Sequence, residues 1–286
     1  MTRRPIAAGS FYEAKTDKLE DQIKSCFLSA KGPGALPINK RKGPVLGAIC
    51  PHAGYMYSGQ CAAWAYKVIA ESEFADVYVV IGPNHTGIGK SSTTLENYET
   101  PFGVVRIDQE FAQMLVKNSD LVEDNEAHAG EHSVEAQLPF LQFATRDFSN
   151  ELKIVPIVAS HDFNFKRLGL DLKETIVDSG KKVCVIASSD FTHYGRNYHY
   201  VPFSSDVQKR MYDLDGEAIG LIKKFDSEGL FNYIYETGAT ICGCVPIGVL
   251  LNAIKAKKAE LLQYYTSGDI VNDYKNSVGY ASMTFS

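Results

Sequence analysis

Val77-Tyr78-Val79-Val80-Ile81-Gly82-Pro83-Asn84-His85 decides the fold. Five uncharged, mostly β-branched residues end at a Gly-Pro break, the pattern of a strand buried on both faces, as in the middle of a parallel sheet. Working outward, Val45 to Cys50 forms a second such run, and the Ala-rich stretch 59–71 with Tyr66 and Ile69 between them reads as a helix able to pack closely on a sheet. Ile154 to Val158 and Val183 to Ala187 predict two further strands around a helix at 165–179. Helical spacing recurs at Leu19, Ile23, Phe27 and Ala30 within 17–30, and at Phe111, Met114 and Leu115. A helical region follows near 204–235. The last helix runs from Pro246 to Lys258 with Ile247, Leu250, Leu251 and Ile254 inward, and Gly279 to Phe285 closes the chain as a strand. Strands alternating with helices imply an α/β fold, a mainly parallel sheet covered on both faces. No repeat or low-complexity linker interrupts it, so one domain over 1–286 is expected.

The composition excludes several classes. With 286 residues, 45% hydrophobic and 22% charged, the chain can bury a core without disulfides. Its net charge is −5, and the two basic clusters, Lys40-Arg41-Lys42 and Lys255 to Lys258, read as solvated surface, so nucleic acid is not an expected partner. The apolar run before Ser10 is too short for a signal peptide, which needs roughly 7–15 residues, and no stretch approaches the ~20 of a membrane span. A cytoplasmic location and six reduced cysteines are therefore expected; no C-x-x-C pair suggests a zinc ribbon or redox motif.

Chemistry is expected just past the carboxyl ends of the strands. Strand 45–50 leads to His52, strand 77–81 to His85, and strand 183–187 to Ser188-Ser189-Asp190-Phe191-Thr192-His193. Imidazoles gathered at one sheet edge suit iron, copper, nickel or zinc, and a thiolate would add a soft anionic ligand; spacing alone leaves open which of them bind. Asp190 and His193 are candidates for a proton-transfer pair, with Asp190 orienting His193 or else capping the turn. Ser188 and Ser189 lack the G-x-S-x-G elbow of a hydrolase. In Glu131-His132-Ser133-Val134-Glu135, His132 and Glu135 share a helix face as a pocket-lining pair, or Ser133 simply caps the helix. The near-P-loop ending Gly89-Lys90-Ser91 has Asn84 where the first glycine is needed. Cys242, just before the Pro246 helix, is suited to metal ligation if the helix N-terminus lowers its pKa. Phe11, Tyr12, Tyr55 and Tyr194 belong either to a pocket or to the core.

Together, Ala7-Ala8-Gly9-Ser10-Phe11-Tyr12, Pro51-His52-Ala53-Gly54-Tyr55, Gly82-Pro83-Asn84-His85, Glu131-His132-Ser133, Ser188-Ser189-Asp190-Phe191 with His193, and Thr240-Ile241-Cys242-Gly243 resemble the MEMO protein family. That family is similar in fold to the class III extradiol dioxygenases of the LigB type. The resemblance implies a single-domain α/β/α sandwich with His52, His85 and Cys242 as metal ligands for iron (Fe2+) or copper, zinc being possible. It makes His193 the acid/base histidine with Asp190 beside it, and Tyr55, His132 and Glu135 pocket residues. It implies a redox enzyme or oxygenase acting on an unknown small molecule; the alternatives are a non-catalytic peptide- or protein-binding module and a zinc-dependent hydrolase. Radical-SAM and AMMECR1-like proteins are implied partners. Cys244 stands where the family motif is expected to carry Arg, which makes peptide or phosphate recognition less secure.

Overall fold

The computed structural model describes residues 1–38, 42–161 and 163–286. Lys40 and Arg41 of the first basic cluster lie outside them; Lys42, Lys255, Lys257 and Lys258 are exposed. In chain order the elements are β1 (Thr2–Arg3), α1 (Thr16–Leu28), β2 (Gly47–Cys50), α2 (Tyr55–Ala70), β3 (Val77–Pro83), β4 (Ser92–Thr93), β5 (Asn97–Thr100) and β6 (Gly103–Ile107). There follow α3 (Gln109–Asn118), β7 (Val122–Glu123), α4 (Asn125–Ala129), α5 (Leu138–Ala144), β8 (Lys153–Ala159), α6 (Phe165–Ser179), β9 (Val183–Ser188) and β10 (His193–Gly195). The chain ends with α7 (Val207–Lys223), α8 (Ser227–Thr237), α9 (Cys244–Ala253), β11 (Ala259–Thr266), α10 (Ser267–Val271) and β12 (Asn276–Phe285).

The fold is α/β, built on one mixed sheet in the order β1-β5-β6-β8-β3-β9-β2-β12-β10, with β11 also paired to β12. Its centre, β6-β8-β3-β9-β2, is parallel throughout, while β12 runs antiparallel to β2, β10 and β11. Every residue of β2, β3 and β9 is buried, which is why these runs carry no polar alternation. The helices form two packed groups. In one, α2 lies against α1, α5 and the β2–β12 side of the sheet; in the other, α9 lies against α6, α8, β9 and β3. No helix among the described residues is long and apolar enough to cross a membrane.

Two expected helix ends are corrected. α1 stops at Leu28, leaving Ala30 exposed in the next turn. α9 stops at Ala253, because Ile254 is already extended (φ −97°, ψ 154°) and the chain turns into β11. That strand was hidden behind a Lys-rich stretch of good helix formers.

The register fixes the site. Cys50 pairs with Ser188 and Ile81 with Ala187, so β9 lies between β2 and β3 and all three strands end at the same sheet edge. His52, His85 and the 188–193 loop leave from that edge.

Candidate metal centre

The loop after β2 is tied to the loop after β9. Asp190 Oδ1 accepts the backbone N–H of His52 at 2.9 Å and of Ala53 at 3.3 Å. Asp190 Oδ2 lies 4.0 Å from His52 Nε2. The 240–243 turn then closes on the same loop. Asp190 N–H donates to Cys242 Sγ at 3.3 Å, and Gly243 N–H donates to Ser189 Oγ at 3.1 Å. Gly243 is required by this closeness: a Cβ there would lie 2.3 Å from Ser189 Cβ and 2.6 Å from Ser188 O.

The tautomer of each histidine follows from its surroundings. Ser188 Oγ lies 2.7 Å from the Ser133 carbonyl, which only accepts, so the hydroxyl proton is spent there. The same oxygen accepts from Gln137 Nε2 at 2.7 Å, and Gln137 Oε1 is itself engaged by Tyr66 OH. Ser188 can therefore only accept from His52 Nδ1, 2.9 Å away, which leaves His52 Nε2 with a free lone pair. That Nε2 is 3.3 Å from Cys242 Sγ. Burial, followed by the neighbouring His85 and His132, pushes the His52 pKa well down, so the ring stays neutral and able to ligate.

His85 is held in the same sense by a carboxylate. Glu131 Oε1 is 3.0 Å from His85 Nδ1, and Glu131 Oε2 accepts the His85 backbone N–H at 2.6 Å. Burial alone would raise the Glu131 pKa, but the bonds to His85 and the Ser133 N–H bring it down to about 2. An ionised carboxylate must accept from Nδ1, so Nε2 of His85 is the free donor atom. Histidine metal ligands are commonly oriented in this way, by a carboxylate or hydroxyl on the other ring nitrogen.

One donor atom from each of His52, His85 and Cys242 lies within 4.8 Å of the others, and a mixed imidazole–thiolate set suits iron, copper or zinc. His85, Glu131 and His132 also converge within 4.8 Å. Glu131, however, is wholly buried and its oxygens already take N–H groups from His85 and Ser133, so it acts as the support of His85. The set of His52, His85 and Cys242 keeps its donor atoms free of such a commitment and could hold an ion.

The Cys242 thiol departs from expectation. Cys242 precedes the cap of α9, Gly243, and burial, then the charge of Asp190, push its pKa well up against the bonds from the Asp190 N–H and the Ser189 hydroxyl. A cation is thus needed to draw the proton off.

His52, His85, His132, Asp190 and His193 line a cleft of about 470 Å³ together with Phe11, Tyr57, Tyr198 and Tyr280, while Cys242 sits behind His52 outside the lining. His193 is in β10, with Nδ1 3.1 Å from the Thr240 carbonyl and its N–H on Thr240 Oγ1 at 2.8 Å. The segment is not helical, and Thr240 rather than Asp190 orients the ring. His132 stacks on His85 (centroids 4.9 Å apart) and against Phe11 (4.5 Å).

Tyr55 and Glu135 are placed elsewhere. The Tyr55 hydroxyl donates to the Ala136 carbonyl at 2.7 Å in the core. Glu135 is turned to the N-terminal segment and accepts from Arg3, Ala7 N–H and Tyr12 OH. Tyr12 and Tyr194 are buried as well. Ser133 caps no helix: Val134 precedes a 3-10 turn, Glu135–Gln137, and the Ser133 hydroxyl donates to the Pro83 carbonyl. Cys244 opens α9 outside the cleft lining. The sequence reading missed Ser188, Gln137, Glu131 and Thr240 as orienting groups. Glu131, Ser188 and Thr240 stand within the motifs that carry the family resemblance, whereas Gln137 had no such signal.

The model of the Memo-like protein family matches residues 3–284. The chain belongs to the Memo-like family. It is 39% identical over 298 residues to a MEMO1 family protein of Methanopyrus kandleri, covering 100% of this chain and 99% of the relative. A MEMO1 family protein of Pyrobaculum aerophilum is 40% identical over 291 residues, covering 99% of this chain and 98% of that one. Among solved structures, the Memo-like chain is similar to an uncharacterized protein of Escherichia coli K12, with a TM-score of 0.55 at 12% identity over 85% of this chain and 100% of that chain. The fold is common to both; at that identity nothing further is implied.

Proposed function

We propose that this Memo-like protein holds one iron or copper ion on His52, His85 and Cys242 and acts on a small molecule bound in the adjoining cleft. The observation that carries this reading is the hydrogen-bond assignment. Ser188 and Glu131 take the Nδ1 protons of the two histidines, so both Nε2 lone pairs are free beside a half-buried sulfur. Such an ion would supply Lewis-acid polarisation and electron exchange to a molecule beside it.

The chain's own residues would do the rest. Thr240 takes the Nδ1 proton of His193, which leaves Nε2 as the atom that accepts or returns a proton. Asp190 holds the His52 loop in place. Phe11, Tyr57, Tyr198 and Tyr280 give the cleft aromatic walls against which a small molecule could pack. No Lys or Arg is among the described residues that line the cleft, so a phosphorylated peptide would find no guanidinium or ammonium there.

Elemental analysis of anaerobically purified protein tests the proposal. Near-stoichiometric iron or copper that falls in Cys242→Ser supports it, and no metal in either form removes it. Zinc in their place would favour a metallohydrolase with His193 as general acid/base.

A further inference from the structure

We propose that Arg3, through a buried ion pair with Glu135, is a positioning residue of the metal centre, and that the N-terminal segment is built into the site. The inference rests on the metal-binding reading above. Arg3 is buried although it lies on a two-residue edge strand, and its guanidinium is fully committed. Nε donates to the His128 carbonyl at 2.7 Å, one terminal nitrogen to the Glu131 carbonyl at 2.8 Å, and the other to Glu135 Oε2 at 2.6 Å. The plane lies over the Tyr98 ring, 4.7 Å from its centroid. Backbone and side chain of 128–135 are thus wrapped on one planar fork, a geometry that a lysine ammonium cannot reproduce.

The other side of this wrapped segment carries the ligand supports. Glu131, whose carbonyl Arg3 holds, presents its carboxylate to His85. Ser133 and Gln137, on either side of Glu135, supply the carbonyl and the amide that fix Ser188 beneath His52. Glu135 in turn draws in Ala7 N–H and Tyr12 OH, which brings Phe11 onto His132. One ion pair therefore sets the supports of both histidines without touching either. Loss of a group bonded directly to a ligand lowers metal affinity roughly 10–100-fold, and loss of the Arg3–Glu135 pair would act through two such groups, Glu131 and Ser188.

The test is an anaerobic titration of the full chain with Co2+, whose thiolate charge-transfer and d–d bands report the ligand set, alongside thermal unfolding of the metal-free protein. Arg3→Lys is expected to bind Co2+ at least tenfold more weakly with shifted d–d bands. The double replacement Arg3→Met/Glu135→Leu, which leaves no unpaired buried charge, is expected to fold and show the same loss. Wild-type affinity and spectrum in Arg3→Lys, or in a folded double variant, would overturn the inference alone. Absence of a thiolate band in the wild type would overturn the metal-binding reading, and the inference with it.

Discussion

Replacing Gly243 by Ala perturbs the centre through a single methyl group. The backbone of Gly243 (φ −94°, ψ 29°) is open to any residue, so the only obstacle is space. The new Cβ would sit 2.3 Å from Ser189 Cβ and 2.5 Å from Ser189 Oγ, where ordinary contact begins near 3.4 Å. Ser189 is fully buried, with its hydroxyl bonded to the Asp190 carbonyl, so the 240–243 turn is the part that gives way, by about 1 Å. Metal–ligand bonds tolerate only about 0.2 Å, so a shift of that size takes Cys242 Sγ out of bonding position beside His52. The expected cost to folding is that of overpacking, about 1–3 kcal/mol. The expected cost to metal affinity is tenfold or more, about 1.4 kcal/mol at least. Thermal unfolding and competition with a chelator read the two separately. Unchanged metal affinity in a folded Gly243→Ala protein would refute the claim that this close approach seats the sulfur.

Four further outcomes are expected. Ser188→Ala removes the acceptor of His52 Nδ1 and leaves Gln137 Nε2 with one partner fewer, so metal affinity should fall roughly 10–100-fold and stability by about 1–3 kcal/mol; calorimetric titration and urea unfolding check each. Glu131→Gln replaces the carboxylate on His85 with a neutral amide, and should weaken metal binding by a similar factor while His52→Ala abolishes it. Burial raises the Asp215 pKa from 3.8 to about 6 against the bonds from Thr192 and Tyr264. Because the folded value is the higher one, this group's contribution is full below about pH 4 and is lost as pH rises through 6, a change of about 3 kcal/mol. Asp215→Asn should flatten that part of the stability profile, read by urea unfolding between pH 4 and 7; an unaltered profile would count against it.

The parallel strands and their edge were legible because β2, β3 and β9 are buried on both faces and so appear as unbroken apolar runs. His52 and His85 follow strand ends by two residues, which made the site's edge visible before any register was known. The rest depended on tertiary pairing. Ser188 becomes an orienting group only once the Cys50–Ser188 register sets it beside His52. His132 and Glu135 were paired on an assumed helix face, but the regular helix begins only at Leu138, and Glu135 turns the other way to Arg3, 132 residues distant in sequence. Cys242 was placed before a helix expected from Pro246; α9 begins earlier, at Cys244, yet burial rather than the helix terminus decides the thiol's pKa. The two-residue strands β1, β4 and β7 are too short to show a period at all.

The central claim is that two histidines and one cysteine hold a single ion. Its most direct test is X-ray absorption at the edge of whichever metal purifies with the protein. One sulfur scatterer near 2.3 Å beside nitrogen or oxygen scatterers near 2.0–2.1 Å, with the sulfur shell lost in Cys242→Ser, is the predicted result. A shell of nitrogen and oxygen alone in the wild-type protein would contradict it.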